Sequence, residues 1–184
     1  LGKHSTSWPL DELPSDETLA ECDAKPVPLA YLTGTNGKTT TTRMVARIAQ
    51  SAGRIPGNTS SDGIIVNGSP IEEGDWTGPG AARMVLRHPE VDIALLETAR
   101  GGLMRRGLVQ PDAEVALVTN ISADHLGQWG LTDVDALADA KLVVARAVKP
   151  GGKIVLNRDC PILASAFERM DASFKTGRDV LWFS

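Results

Sequence analysis

One stretch constrains this chain more than any other: Thr33-Gly34-Thr35-Asn36-Gly37-Lys38-Thr39, entered from apolar Leu29-Ala30-Tyr31-Leu32 and left through Thr40-Thr41-Thr42-Arg43-Met44-Val45. It predicts a strand, a glycine loop and a helix in that order. A triphosphate needs backbone N–H donors that converge on it without Cβ atoms in the way, a lysine for its outer oxygens and a hydroxyl for Mg²⁺. Gly34 and Gly37, Lys38 and Thr39 supply these, with the helix N-terminus aimed at the anion. The strict pattern G-x-x-x-x-G-K-[ST] would place its first glycine at position 32, where this chain has leucine, so the match is to the shorter G-x-x-G-K-T. A glycine turn that merely caps a helix would leave Lys38 solvated. Gly-Lys-Thr between an apolar strand and a helix points instead to a nucleotide.

Composition narrows the class. With 184 residues, 42% of them hydrophobic, the chain can bury on the order of 70% of its unfolded surface in one domain. A net charge of −4 with 23% charged residues excludes a broad basic field for nucleic acid or an anionic membrane. No apolar run approaches the roughly 20 residues of a membrane span, and Leu1-Gly2-Lys3-His4-Ser5 opens no secretory leader. Cys22 and Cys160 lie far apart without Cys-x-x-Cys spacing and read as free thiols in a reducing, cytoplasmic setting. The absent initiating methionine suggests a piece of something longer.

Residues 1–28, with Pro9, Pro14, Pro26 and Pro28, read as a linker or the edge of a preceding domain, holding one short helix at Ser15 to Cys22. Residues 29–184 read as the functional domain. Its first helix is expected from about Thr39 to Ala52, with Met44, Val45, Ile48, Ala49 and Ala52 facing a sheet. Asp62 to Val66 and Ser69 to Glu73 flank Asn67-Gly68, a strong hairpin signal. Pro79 opens a helix carrying Ala82, Met84, Val85 and Leu86; Val91 to Leu96 and Ala113 to Thr119 are buried-strand candidates. A helix is expected from about Asp133 to Val148, with Leu137, Leu142, Val143, Val144, Ala147 and Val148 as core and Pro150-Gly151-Gly152 closing it. Lys153 to Asn157, Pro161 to Met170 and Val180 to Phe183 complete a strand, a helix and a strand. The alternation predicts an α/β fold of P-loop type: a mainly parallel sheet with helices on both faces and a small antiparallel hairpin.

Ligands of such sheets collect at the carboxyl ends of the strands. Glu97 and Asn120 fall at two of those ends, and a carboxylate there can hold a hard Mg²⁺. His125 beside Asp124 suits Mg²⁺ or Mn²⁺, or else the pair caps a helix. Arg100 either binds an anion or pairs with Glu97. Trp76 and Trp129 sit in candidate site loops; His4 and His88 have no recognisable partners.

These blocks, Thr33 to Thr41, Asp62-Gly63-Ile64, Gly74-Asp75-Trp76-Thr77-Gly78-Pro79, Leu96 to Gly102 and Val118 to Gly127, occur in the order that resembles the central ATP-binding domain of the Mur ligase superfamily. Within it they are most similar to the Mur-ligase-like part of the cyanophycin synthetases. The resemblance covers about Ala30 to Asp159. It implies a ligase that activates a carboxylate as its acyl phosphate with ATP and then couples it to an amine. Carried over residue by residue, Gly34, Thr35, Asn36, Gly37, Lys38, Thr39 and Thr40 form the phosphate loop and Asn120 lines the nucleotide site. Thr39 and Glu97 ligate one Mg²⁺, and His125 serves a second. Lys141 takes the place of a lysine that is often carbamylated in the family; the alternative is an exposed helix lysine. Lys38, Glu97, His125 and Lys141 are thus the implied catalytic set.

Thr59, Asp62, Asp75, Thr77 and Arg100 are candidate contacts for the carboxylate acceptor. The amino-acid or amine donor is left to a further carboxy-terminal domain that family enzymes carry, so flanking domains are expected partners, with a second copy of the chain as a further candidate. Two other classes share the loop: a non-catalytic ATP-binding module of a larger assembly, and a small-molecule kinase.

Overall fold

Apolar runs separated by glycine, proline and helical stretches fold as the alternation requires. A computed structural model describes residues 26–123 and 133–184. Their elements are β1 Leu29–Thr33, α1 Lys38–Ser51, β2 Pro56–Ser60, β3 Gly63–Val66, β4 Ser69–Glu73, α2 Pro79–Leu86, β5 Ile93–Glu97, α3 Arg100–Arg106 and β6 Ala113–Val118. Then come α4 Val134–Lys141, α5 Val143–Arg146, β7 Val148–Asn157, α6 Pro161–Arg169, α7 Ala172–Lys175 and β8 Asp179–Phe183.

The strands form one 8-stranded sheet in the order β4-β3-β2-β5-β1-β6-β7-β8. From β2 to β8 in that order neighbours run parallel. The β3–β4 hairpin is antiparallel at the edge, turned at Asn67-Gly68 with Asn67 at φ 49. The expected mainly parallel α/β sheet with a small hairpin is what forms. After β1 the chain crosses to β2 on one side, and after β5 it crosses to β6 on the other. β1 therefore stands at the reversal of strand order, where a crevice opens beyond the carboxyl ends.

The period of two in β1 divides the core. Leu29 and Tyr31 join the larger cluster with Val85 of α2, Leu103 of α3, Leu137 of α4 and Leu163 of α6. Leu32 joins Ala46 of α1 and Leu95 of β5 in a smaller one. Helices cover both faces, unequally.

Several expectations need correction. α1 buries Thr42, Ala46 and Ala49, while Met44 and Ile48 are 60% and 65% exposed. Spacing of i, i+4 and i+7 held, but small residues rather than the bulkiest face the sheet. β2, Pro-Gly-Asn-Thr-Ser, was not expected as a strand, yet all five residues are buried between β3 and β5. The helix expected from Asp133 to Val148 is divided at Leu142, Val143 is exposed, and Val148 already belongs to β7. Pro150-Gly151-Gly152 lies inside β7, where its register with β6 shifts, as proline and glycine do at irregularities of a strand. Met84 of α2 is exposed beside buried Ala82 and Val85. The short helix expected at Ser15 to Cys22 lies outside the described residues.

Candidate functional site

α1 begins without a capping side chain. Its N-cap is Gly37 at φ 80, ψ 0, and its first turn holds no acidic residue. That left-handed conformation is open to glycine, and it leaves the first N–H groups of the helix to an external anion. Lys38 folds back so that Nζ donates to the Thr35 carbonyl at 2.9 Å. The Thr39 hydroxyl donates to Glu97 Oε2 at 2.8 Å and stands 3.1 Å from Ser61 Oγ.

Glu97 ends β5 and is 2% exposed. Burial pushes its carboxyl above the usual carboxylate range, the Thr39 hydrogen bond and the charge of Lys38 pull it back, and Asp75 adds to the rise. Oxygens of Thr39, Ser61 and Glu97 thus meet at the mouth of the phosphate loop. Hard oxygen donors next to a helix N-terminus suit a divalent cation that bridges to phosphate.

Lys141 comes from the end of α4. It is buried, and its Nζ donates to the Gly34 carbonyl at 2.7 Å. The reading of Lys141 as an exposed helix lysine is thereby set aside. Lys38, Arg100 and Lys141 line one cleft of about 210 Å³ together with Gly34 and Thr35. A second cleft, about 550 Å³, lies on the other side of the loop, where Leu117, Val155 and Phe183 make an apolar wall beside Asn36, Asn120 and Asn157.

The remaining candidates are placed as follows. Asn120 exchanges hydrogen bonds with Asn36. Thr40 lies in the exposed first turn of α1. Thr59 is buried on β2, its hydroxyl 3.5 Å from the Glu97 carbonyl. Asp62 pairs with Arg43 at 3.2 Å, and Asp75 accepts from the Thr77 hydroxyl at 2.8 Å. His125 lies outside the described residues. Sequence reasoning missed Ser61, Thr119 and Asn157. Thr119 follows a strand the sequence did show and Asn157 ends another, so the strand-end rule could have found those two; Ser61 follows β2, which the sequence did not show as a strand. Among the described residues no helix is long and apolar enough to cross a membrane.

Residues 32–178 match the model of the Mur ligase middle domain. Cyanophycin synthetase from a Synechocystis species is 44% identical over 146 residues, 79% of this chain and 17% of that protein. UDP-N-acetylmuramoylalanine–D-glutamate ligase from Chlorobium luteolum is 36% identical over 148 residues, 80% of this chain and 29% of that protein. The chain therefore spans a small part of the length of either. Among solved structures, UDP-N-acetylmuramoyl-L-alanyl-D-glutamate–2,6-diaminopimelate ligase superposes with a TM-score of 0.68 at 24% identity, over 90% of this chain and 34% of that one. Folylpolyglutamate synthase of Mycobacterium tuberculosis, solved with ADP and AMPPCP, gives 0.63 at 21% identity, over 90% and 45%.

Proposed function

The chain belongs to the Mur ligase family through its middle domain, and on that footing we propose that it is the ATP-binding domain of a cytoplasmic ligase, of the cyanophycin synthetase kind, that joins a carboxylate to an amine. The observation that carries this reading is the Thr39–Glu97 hydrogen bond at the mouth of a helix whose N-terminus has no side-chain cap.

In this reading Gly34 to Thr40 surround the phosphates of ATP, and Lys38 leaves the Thr35 carbonyl for the outer phosphate oxygens. Thr39 and Glu97 would hold Mg²⁺; the Thr39 oxygen would have a lone pair left for the metal while its O–H donates to Glu97. When bound, Mg²⁺ offsets phosphate charge during transfer. A carboxylate oxygen of the acceptor attacks the γ-phosphorus and ADP departs; the donor amine then attacks the acyl phosphate, loses a proton, and phosphate leaves. No protein nucleophile is required, since positioning and charge stabilisation dominate phosphoryl transfer.

Arg100, in the cleft with Lys38 and Lys141, is assigned to the acceptor carboxylate, and Asp62, Asp75, Thr77 and Thr59 to the acceptor's surroundings. His125 and Lys141 are assigned to a second metal. Lys141 serves there as the carbamate that its neutral amine forms with carbon dioxide on losing a proton. Flanking parts of the full-length protein supply the donor site.

Calorimetric titration of the chain with AMPPCP and Mg²⁺, beside Lys38→Ala, tests the reading. Binding by wild type that the variant loses supports it, and absence of binding by wild type removes its basis in this domain. In the full-length protein, ADP and phosphate should be released only when acid and amine are both present. A stable phosphorylated product would mark a kinase, and ATP binding without turnover a regulatory module.

A further inference from the structure

The phosphate loop is not held by its own residues alone. Beyond the last paired residues of β1 and β6, hydrogen bonding continues: Thr119 N–H donates to the Thr33 carbonyl at 3.0 Å, and Thr35 N–H donates to the Asn120 carbonyl at 2.8 Å. The Asn120 side chain then treats the backbone of Asn36 as a neighbouring strand would. Asn36 N–H donates to Asn120 Oδ1 at 3.0 Å, and Asn120 Nδ2 donates to the Asn36 carbonyl at 3.1 Å. The Thr119 hydroxyl donates to that same carbonyl at 2.6 Å, so both of its lone pairs are engaged. Thr119 and the following loop are anchored in turn: Asn157 Nδ2 donates to the Thr119 carbonyl at 2.9 Å, and Cys160 Sγ lies 3.3 Å from Ile121 N and 3.4 Å from Ile121 O.

Peptide planarity turns this grip into an aiming device. The Asn36 carbonyl shares a rigid plane with the Gly37 N–H, and the two point in opposite directions across a trans bond. Holding the carbonyl toward Thr119 and Asn120 directs the Gly37 N–H away from β6. The Asn36 N–H likewise shares its plane with the Thr35 carbonyl, the group that holds Lys38 Nζ at 2.9 Å. Both planes that flank Asn36 are therefore set from β6.

We propose that Thr119 and Asn120 are positioning residues: by gripping the peptide groups on either side of Asn36 they aim the Gly37 N–H and the carbonyl that parks Lys38, and so set polyphosphate affinity without themselves touching phosphate. This rests on the nucleotide reading above. The role of Asn120 becomes indirect, and Thr119, which was not among the residues expected in the site, shares it.

The test uses this chain with two probes, Mg²⁺-AMPPCP and Mg²⁺-tripolyphosphate, the second having no base or ribose. Asn120→Ala is expected to weaken both by the same factor, about tenfold, as loss of two neutral hydrogen bonds implies. Thr119→Val is expected to weaken both several-fold, and Thr119→Ser to restore both. Tripolyphosphate binding unchanged in Asn120→Ala, with AMPPCP binding reduced, would place Asn120 on the base and overturn the proposal; Thr119→Val binding as wild type would overturn the threonine's part. Hydrogen exchange on the ligand-free chain decides independently. The Asn36 amide should exchange at least tenfold faster in Asn120→Ala while amides of β1 and β6 keep their protection, and unchanged exchange at Asn36 sinks the grip. Should wild type bind neither probe, the nucleotide reading fails while the exchange data still judge the grip. Thr119→Val, close in volume to threonine, carries the test if Asn120→Ala does not fold.

Discussion

At the amino ends of the strands charge meets opposite charge. Glu114 accepts Lys149 at 2.6 Å and the Leu29 N–H at 2.7 Å; Asp92 accepts Arg54 at 3.0 Å and the Ile55 N–H at 2.8 Å. At the carboxyl ends Arg43 pairs with Asp62 at 3.2 Å, but charged groups around the phosphate loop also hydrogen-bond to neutral ones. Lys38 and Lys141 donate to backbone carbonyls, and Glu97 accepts a threonine hydroxyl. The lesson is one of division. The first end spends its charges on fixing where β1, β2, β5 and β6 begin, whereas the phosphate loop keeps its charges in place with bonds weak enough to exchange for a ligand's.

The largest break in this comparison should come from Lys38→Ala. Affinity for Mg²⁺-AMPPCP should fall at least about 100-fold, since charge-assisted contacts to phosphate are lost, while unfolding free energy in urea stays within about 0.5 kcal/mol. Glu114→Ala should do the reverse. It strands the Leu29 N–H and should cost about 1–2 kcal/mol on unfolding, with nucleotide affinity changed by less than about twofold. The ion pair with Lys149 is partly exposed and adds little to that figure.

Acid titration should separate the ends by sign. Burial raises the Glu114 carboxyl, but the Lys149 and Leu29 hydrogen bonds outweigh it and hold it below 4.5. Its stabilisation is full above 4.5 and fades as pH falls through the folded value, so the advantage of wild type over Glu114→Gln should shrink on acidification. Glu97, raised from 4.5 chiefly by burial, carries the opposite sign. Its ionised form is the penalised one, so Glu97→Gln should gain on wild type as pH rises through the folded value. That gain is the smallest expected effect, and urea unfolding at several pH values measures both.

Glycine and lysine at fixed offsets made the loop legible, because few other uses need them between a strand and a helix. Glu97 and Asn120 were legible as strand ends, and the family resemblance pointed to Lys141, whose burial the helical pattern alone could not settle. β2 was not legible: Pro56 to Ser60 reads as a turn, and only its place between β3 and β5 makes it a strand. The contact face of α1 was read correctly at Ala49 but not at Met44 and Ile48, because Thr42 and Ala46 carry less hydrophobic signal than those two, while tertiary packing favours the smaller residues there. Ser61 follows that hidden strand, and its contact with Thr39 joins residues far apart in sequence, which no local pattern records.

The uncapped start of α1 has a thermal consequence. A helix whose first N–H groups await an anion is completed by whatever binds there, so occupancy and folding are linked. A ligand present at 100 times its Kd adds about 2.7 kcal/mol to the unfolding free energy. The melting temperature of this chain should therefore rise with polyphosphate concentration, making its heat stability a gauge of how full the loop is.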